Sequence, residues 1–269
     1  MDLLEKLEGL VLGQTTTSER EIAGMWATDC LFNPAQNGRI FKYKFIIAQT
    51  QIGQGCAYSS NENYNADCLA KLVGKDCLDN EIKDLPLRVA CLDSLCERIS
   101  FGYEAEEINL NGTSAHKLRA RTELIIKEAE RLMGDLRGKK VLNVGVVGDI
   151  IFQFYNHGCS VIGSDFDPTI VGKHFFKEVP IISGTYTLEA LKNVDIAVVT
   201  GMTIANATLN KIIAVCKEFG VKLIVFAETG SNMGQFYVRE GIDCYLGEIF
   251  PFYIFNGIST IRITRDRKL

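Results

Sequence analysis

The chain has few of the residues that usually advertise a function. Its 269 residues include one tryptophan, five prolines and three histidines. His116, His157 and His174 form no HxH or HExxH pair, which excludes the familiar zinc-peptidase pattern. No GxSxG turn offers a serine nucleophile. There is no CxxC pair, and with it no zinc-ribbon or thioredoxin signature. No apolar run approaches the ~20 residues needed to span a bilayer. A net charge of -4 gives no electrostatic footing for nucleic acid or an anionic membrane.

What is present is the composition of a globular protein with a substantial core: 47% hydrophobic and 23% charged residues. The length suits two domains. Nine cysteines are too many to ignore, but the number is odd and a chain of this size needs no disulfide staples. Cys91, Cys96, Cys159 and Cys216 fall in apolar segments and read as buried thiols that pack like small hydrophobes. Cys30, Cys56 and Cys68 lie near loops and stay open as metal ligands. The opening stretch MDLLEKLEGLVLG carries its acidic residues in the wrong place for a signal peptide. Its leucines fall at helical spacing, which predicts an amphipathic helix in a cytoplasmic protein.

The first part reads as α+β. Residues 15–32 predict loop and strand, with turns at Asn33-Pro34 and Asn37-Gly38. Residues 40–50 predict a strand and residues 53–60 its partner. A polar loop follows, then helices over 66–73 and 85–99, the second starting after Asp84 with Pro86 in its first turn. Residues 101–112, acidic and bounded by glycines, predict the boundary between domains 1–112 and 113–269. Thr113 or Ser114 then caps a long helix ending at Gly134. Its charges, among them Lys117, Arg121 and Glu128, predict a solvated face.

From Lys139 the pattern becomes short apolar strands alternating with helices. Continuous Val/Ile/Leu runs indicate strands buried on both faces. The alternation predicts an α/β fold: a Rossmann-like, doubly wound, mostly parallel sheet preceded by the smaller α+β domain.

Three segments could carry chemistry. In VLNVGVVGDI a strand runs into Gly145 and Gly148 opens a helix, a geometry that aims N–H groups at a ligand. Asp165 lies twenty residues after Gly145, where an acidic residue often binds ribose hydroxyls. The glycine spacing is nevertheless G-x-x-G rather than G-x-G-x-x-G, and Asp149 would repel a pyrophosphate. In VVTGMTIANATL a strand end at Thr200 and Gly201 is followed by Thr203, Asn206 and Thr208, as in a site at a strand's carboxyl end; helix capping would need only one of them. In FAETGSNMG, Glu228 ends a strand before Thr229 and Gly230. It could serve as a base or metal ligand, or simply cap a helix. The aromatic run GEIFPFYIFNG predicts core or a subunit interface.

The order VLNVGVVGDII, SDFDP, DIAVVTGMTIANATLNKII, IVFAETGSNM, GIDCYLGEI resembles the Rossmann-like domain of a family named for putative heavy-metal chelation. The run T-G-x-T-x-x-N-x-T-L is its most specific part. The N-terminal segments, with the ACLDSL helix, are similar to that family's smaller domain, folded like the N-terminal domain of enolase. The resemblance is firm from Val141 onward, and residues 15–37 depart from it. It implies a ligand site in the cleft between the domains, at Gly145, Gly148, Thr200, Gly201, Thr203, Asn206, Glu228, Thr229 and Gly230, faced by the loop at residues 59–63.

The leading expectation is therefore a metal ion or metal–small-molecule complex in that cleft, with Glu228 and Asp165 suiting harder ions and Cys56 or Cys30 softer ones. A second reading is a small-molecule enzyme using S-adenosylmethionine or NAD at Gly145 and Asp165. A third is a non-catalytic homodimer formed through the aromatic patch.

Overall fold

The computed structural model describes residues 2–32, 41–60, 64–175 and 178–267. The two turns expected at 33–38 and most of the loop expected to face the site lie outside these residues. Chain order is α1 (Leu3–Leu12), β1 (Gly24–Phe32), β2 (Phe41–Gln49), β3 (Gln54–Ser59), α2 (Ala66–Ala70), α3 (Leu85–Cys96), β4 (Ala105–Leu110) and α4 (Ser114–Met133). Then come β5 (Lys140–Val144), α5 (Gly148–Asn156), β6 (Ser160–Asp165), β7 (His174–Phe175), β8 (Val179–Ser183), α6 (Thr187–Leu191) and β9 (Ile196–Thr200). The chain continues through α7 (Met202–Ala205), α8 (Leu209–Phe219), β10 (Lys222–Ala227), α9 (Gly234–Arg239), β11 (Cys244–Glu248) and β12 (Ser259–Arg265).

β1, β2 and β3 form an antiparallel sheet. The remaining strands form one large sheet in the order β4-β12-β11-β10-β9-β5-β6-β8-β7. Its centre, from β8 to β11, is parallel, as the buried Val/Ile/Leu runs predict. β12 returns antiparallel to β11. The strand order reverses between β5 and β9, and in open α/β sheets ligands bind at the carboxyl ends of strands flanking such a switch.

Two features differ from the sequence reading. Residues 101–112 do not form a free linker: β4 pairs antiparallel with β12 and adds an edge strand to the large sheet. It is acidic on both faces, with Glu106 meeting Arg265 on one and Glu107 meeting Arg262 on the other, so a charged edge strand carries the composition of a loop. The other difference is β8, which no periodicity announced. Pro180 interrupts its short apolar run, yet Val179 and Ile181 are buried against the sheet.

Each face of the large sheet has its own core. Ile125, Ile126 and Ala129 of α4 and Ile150, Ile151 and Phe154 of α5 cover one face. Ile212, Ile213 and Cys216 of α8 and Phe236, Tyr237 and Val238 of α9 cover the other, and that core continues into the smaller part through α1 and α3. The opposite face of the small sheet packs Phe45 and Ile47 against Phe252 and Tyr253. Phe252 and Tyr253 of the aromatic run are thus core, and Phe250 and Phe255 are half-buried beside them.

A buried carboxylate joins the two parts. Asp93, on α3 and fully buried, accepts from Cys56 N on β3 at 2.8 Å and from Asn232 N at 2.7 Å. The close approach of α3 to β3 requires Gly55, where a Cβ would lie 2.1 Å from Ala90 O.

Candidate functional site

A cavity of about 920 Å³ opens between the small sheet and the carboxyl ends of β5, β6, β9 and β10. The expected residues Gly145, Gly148, Asp165, Thr200, Gly201, Thr203, Asn206, Glu228 and Thr229 all line it. Gly230 does not: its N–H donates to Cys56 O and its carbonyl accepts from Tyr245. Cys56 is also outside the lining, buried in β3 where burial pushes its thiol well up.

The turn after β5 is built tightly. Gly145 has φ 75°, and a Cβ there would meet Thr200 Oγ1 at 2.2 Å. Only glycine satisfies both conditions. The turn's donors, which a cofactor pyrophosphate would need, are already used. Val146 N donates to Asp165 Oδ2 at 2.9 Å and Val147 N to Asn143 Oδ1 at 2.9 Å. Asp165 also accepts from Asp167 N at 2.9 Å, so it fastens the ends of β5 and β6 to one another.

Neither helix after β9 has a side-chain cap, so the capping alternative is not realised, and the polar residues there close turns instead. Thr203 Oγ1 donates to Thr200 O at 2.8 Å. Asn206 Oδ1 accepts from Thr208 N at 3.2 Å and Thr208 Oγ1 at 2.6 Å, closing the turn before α8. Both residues still line the cavity.

Glu228 neither caps a helix nor meets other carboxylates in a metal cage. Its Oε1 accepts from Arg121 Nη1 at 2.9 Å, and the same nitrogen donates to Glu248 Oε2 at 2.9 Å. Glu248 is fully buried and also accepts from Tyr253 N at 2.6 Å and Ser259 Oγ at 2.5 Å. The Arg121 guanidinium lies between the rings of Phe226 and Tyr253, 4.4 and 4.1 Å from their centroids. Such stacking suits a planar cation removed from water. One guanidinium therefore serves two carboxylates. Burial pushes Glu228 up to about 7, Arg121 pulls against this, and Glu248 adds to the rise.

Arg121 is the main residue that the sequence reading missed. Together with Lys117 and Glu128 it is buried, where a solvated face was expected. Residues 117, 121, 125 and 129 form one i, i+4 row on α4, and Ile125 and Ala129 in that row are core. Two cations in register with two core residues were the available signal. Lys117 Nζ is satisfied by Phe255 O and Gly257 O at 2.6 and 2.9 Å. The small sheet's contribution to the cavity wall, Tyr43, Phe45 and Tyr58, had no sequence signal beyond strand alternation.

Among the described residues, no group of three or more His, Cys, Asp or Glu is placed to hold a metal ion. Asp165, Glu228 and Cys56 are not brought together as a ligand set. Nor is any helix among the described residues long and apolar enough to cross a membrane.

Residues 128–225 match the family model DUF364, described as "Putative heavy-metal chelation". No curated protein matches the chain. Two solved structures resemble it nearly end to end. A DUF364 protein of unknown function from Desulfitobacterium hafniense is 10% identical, with 98% of each chain covered and a TM-score of 0.58. Another, from Pyrococcus horikoshii, is 14% identical, covering 91% of this chain and 87% of its own, with a TM-score of 0.54. At these identities the likeness is one of fold. The chain is thus similar to the DUF364 family in sequence over residues 128–225 and shares the fold of two of its members over nearly its whole length.

Proposed function

We propose that the chain binds a small organic molecule, taken up free or as its metal complex, in the cleft between the small sheet and the carboxyl ends of the parallel strands. One observation carries the reading. Among the described residues, the buried side-chain nitrogen and oxygen atoms without a hydrogen-bond partner are Arg121 Nε, Asp149 Oδ2 and Thr200 Oγ1. All three residues line the same cavity. An unpaired buried polar atom costs about 1–3 kcal/mol, so a ligand that pairs with such atoms gains affinity.

The family's description supports a connection with metals. Among the described residues the side chains do not fit a resident metal held by protein alone, so in this reading the metal enters as cargo, coordinated mainly by its organic partner. The volume suits a drug-sized ligand, with Tyr43, Phe45 and Tyr58 as an aromatic wall. S-adenosylmethionine is the second reading. It carries no phosphate, and Asp165 stands at the end of β6 where a ribose would bind. A dinucleotide is disfavoured because the N–H groups of Val146 and Val147 are already engaged.

Native mass spectrometry and elemental analysis of the purified protein, followed by thermal-shift titration, test this. Zinc and nickel chlorides would be compared with the same metals complexed by histidine or citrate, and with S-adenosylmethionine and NAD. Stabilisation by an organic compound or a complex, weakened in Thr200→Val, is the expected outcome. Equal stabilisation by the bare metal ions, unaffected by Thr200→Val, would refute it.

A further inference from the structure

The cavity's hydrogen-bonding groups are not balanced between donors and acceptors. Several backbone donors around its base are taken: those of Val146, Val147 and Asp167 as described, that of Gly201 by Phe226 O at 2.8 Å, and that of Tyr58 by Thr229 Oγ1 at 2.9 Å, while α5 starts without a side-chain cap and contributes its first-turn N–H groups. The cationic side chains offer little more. Arg121 is shared between two carboxylates, which leaves that buried group one negative charge in excess when both are ionised. Lys42 and Lys211 are exposed at the rim. Asp149 lies in the first turn of α5, where a helix favours a negative side chain. Its buried Oδ2 lacks a donor, and Thr200 Oγ1 lacks a partner of either kind.

We propose that the cleft selects ligands carrying a cationic hydrogen-bond donor, of the amine or amidine class, seated against Asp149 and Thr200, and that it discriminates against carboxylates and phosphates. This rests on the cleft being the ligand site. A positive group there supplies the donor that Asp149 Oδ2 lacks and offsets the local excess of negative charge. The rings of Tyr43, Phe45 and Tyr58 suit an aromatic or apolar body behind it, since π faces also attract cations. Arg121 Nε, a buried donor without a partner, suits a neutral acceptor such as a carbonyl or hydroxyl oxygen. A cationic metal chelate meets the same description, whereas a polycarboxylate chelator without its metal does not.

Matched aromatic probes of opposite charge test the proposal: tryptamine against indole-3-acetate, and benzamidine against benzoate. Each would be titrated into the isotope-labelled chain while the amide resonances of Gly145, Asp149, Thr200 and Glu228 are followed. The cationic member of each pair should bind at least about tenfold more tightly, a difference of ~1.4 kcal/mol. In Asp149→Asn that preference should fall below about threefold. Thr200→Val, which keeps the Asp149 carboxylate, should weaken the amines while retaining their preference over the acids. Thermal unfolding of both variants would confirm that they are folded. Anionic probes that move the same resonances with equal or higher affinity would overturn the charge selection and leave the cleft reading standing. So would a cation preference unchanged in Asp149→Asn. If neither member of either pair moves these resonances, the cleft reading falls as well.

Discussion

Replacing Arg121 with methionine tests the most unusual arrangement in the chain. Methionine keeps much of the arginine stem's volume between Phe226 and Tyr253 but removes the charge. Glu228 and Glu248 then face one another with no cation between them. Removing one partner of a buried ion pair costs about 3–5 kcal/mol, because the remaining charge is left uncompensated. A chain of this size loses roughly 2–4 °C in melting temperature per kcal/mol. The substitution should therefore lower the melting temperature by roughly 10 °C at pH 8.

The pH dependence separates this from a simple packing defect. In the wild-type protein burial raises Glu228 from 4.5 to about 7. A raised carboxyl favours the protonated folded state, so its stabilising contribution is complete below pH 4.5 and is lost as pH rises through about 7. That window is worth at most about 3 kcal/mol. The figure is an upper limit, because the Glu228 side chain keeps 22% exposure and solvent screens it. Without Arg121 the carboxyl should rise further, and the deficit of the variant should shrink toward pH 5 as the carboxylates take up protons. Adding Glu248→Gln should restore part of the loss at pH 8. Urea denaturation at pH 5, 7 and 8 measures all of this. A deficit below about 1 kcal/mol at pH 8, or one independent of pH, would refute the shared-guanidinium account.

Asp93→Ala should destabilise by about 2–5 kcal/mol, since it strands the buried N–H groups of Cys56 and Asn232; denaturant unfolding reads this directly. Burial also pushes Asp93 up to about 7 from 3.8, so wild-type stability should fall between pH 4 and 7 and Asp93→Asn should flatten that fall. Gly145→Ala should cost at least about 1–2 kcal/mol from its left-handed backbone alone, with the contact to Thr200 Oγ1 adding to it. Gly148→Ala, at ordinary φ and 3.2 Å from a Phe175 ring carbon, should cost less, which thermal melting of the two variants can compare.

Much of the Rossmann-like half was legible because its signals are local. Strand cores such as Ile196–Thr200 are apolar throughout, glycines stand where the backbone turns left-handed, and Thr113 and Asp84 cap the helices they precede. The positions at the carboxyl ends of these strands follow from the same order, and nearly all of them line the cavity. β4 was not legible, because a charged edge strand and a polar linker share a composition. The burial of Arg121, Lys117 and Glu128 was hidden for a related reason: a charged residue reads as solvated until its partners are known.

The sequence by itself determined the class of fold, the order of most strands and helices with β4 and β8 excepted, and which turns must bend sharply. Those depend on periodicity, capping and φ, which act over a few residues. Only the tertiary structure decided what the site is made of. It joined Arg121 of α4 to Glu228 and Glu248 more than a hundred residues away, brought the aromatic wall of the small sheet over the strand ends, and left one buried oxygen each of Asp149 and Thr200, both in the cavity lining, without a partner. Ion pairs and cavities are relations between distant segments, and no spacing along the chain encodes them.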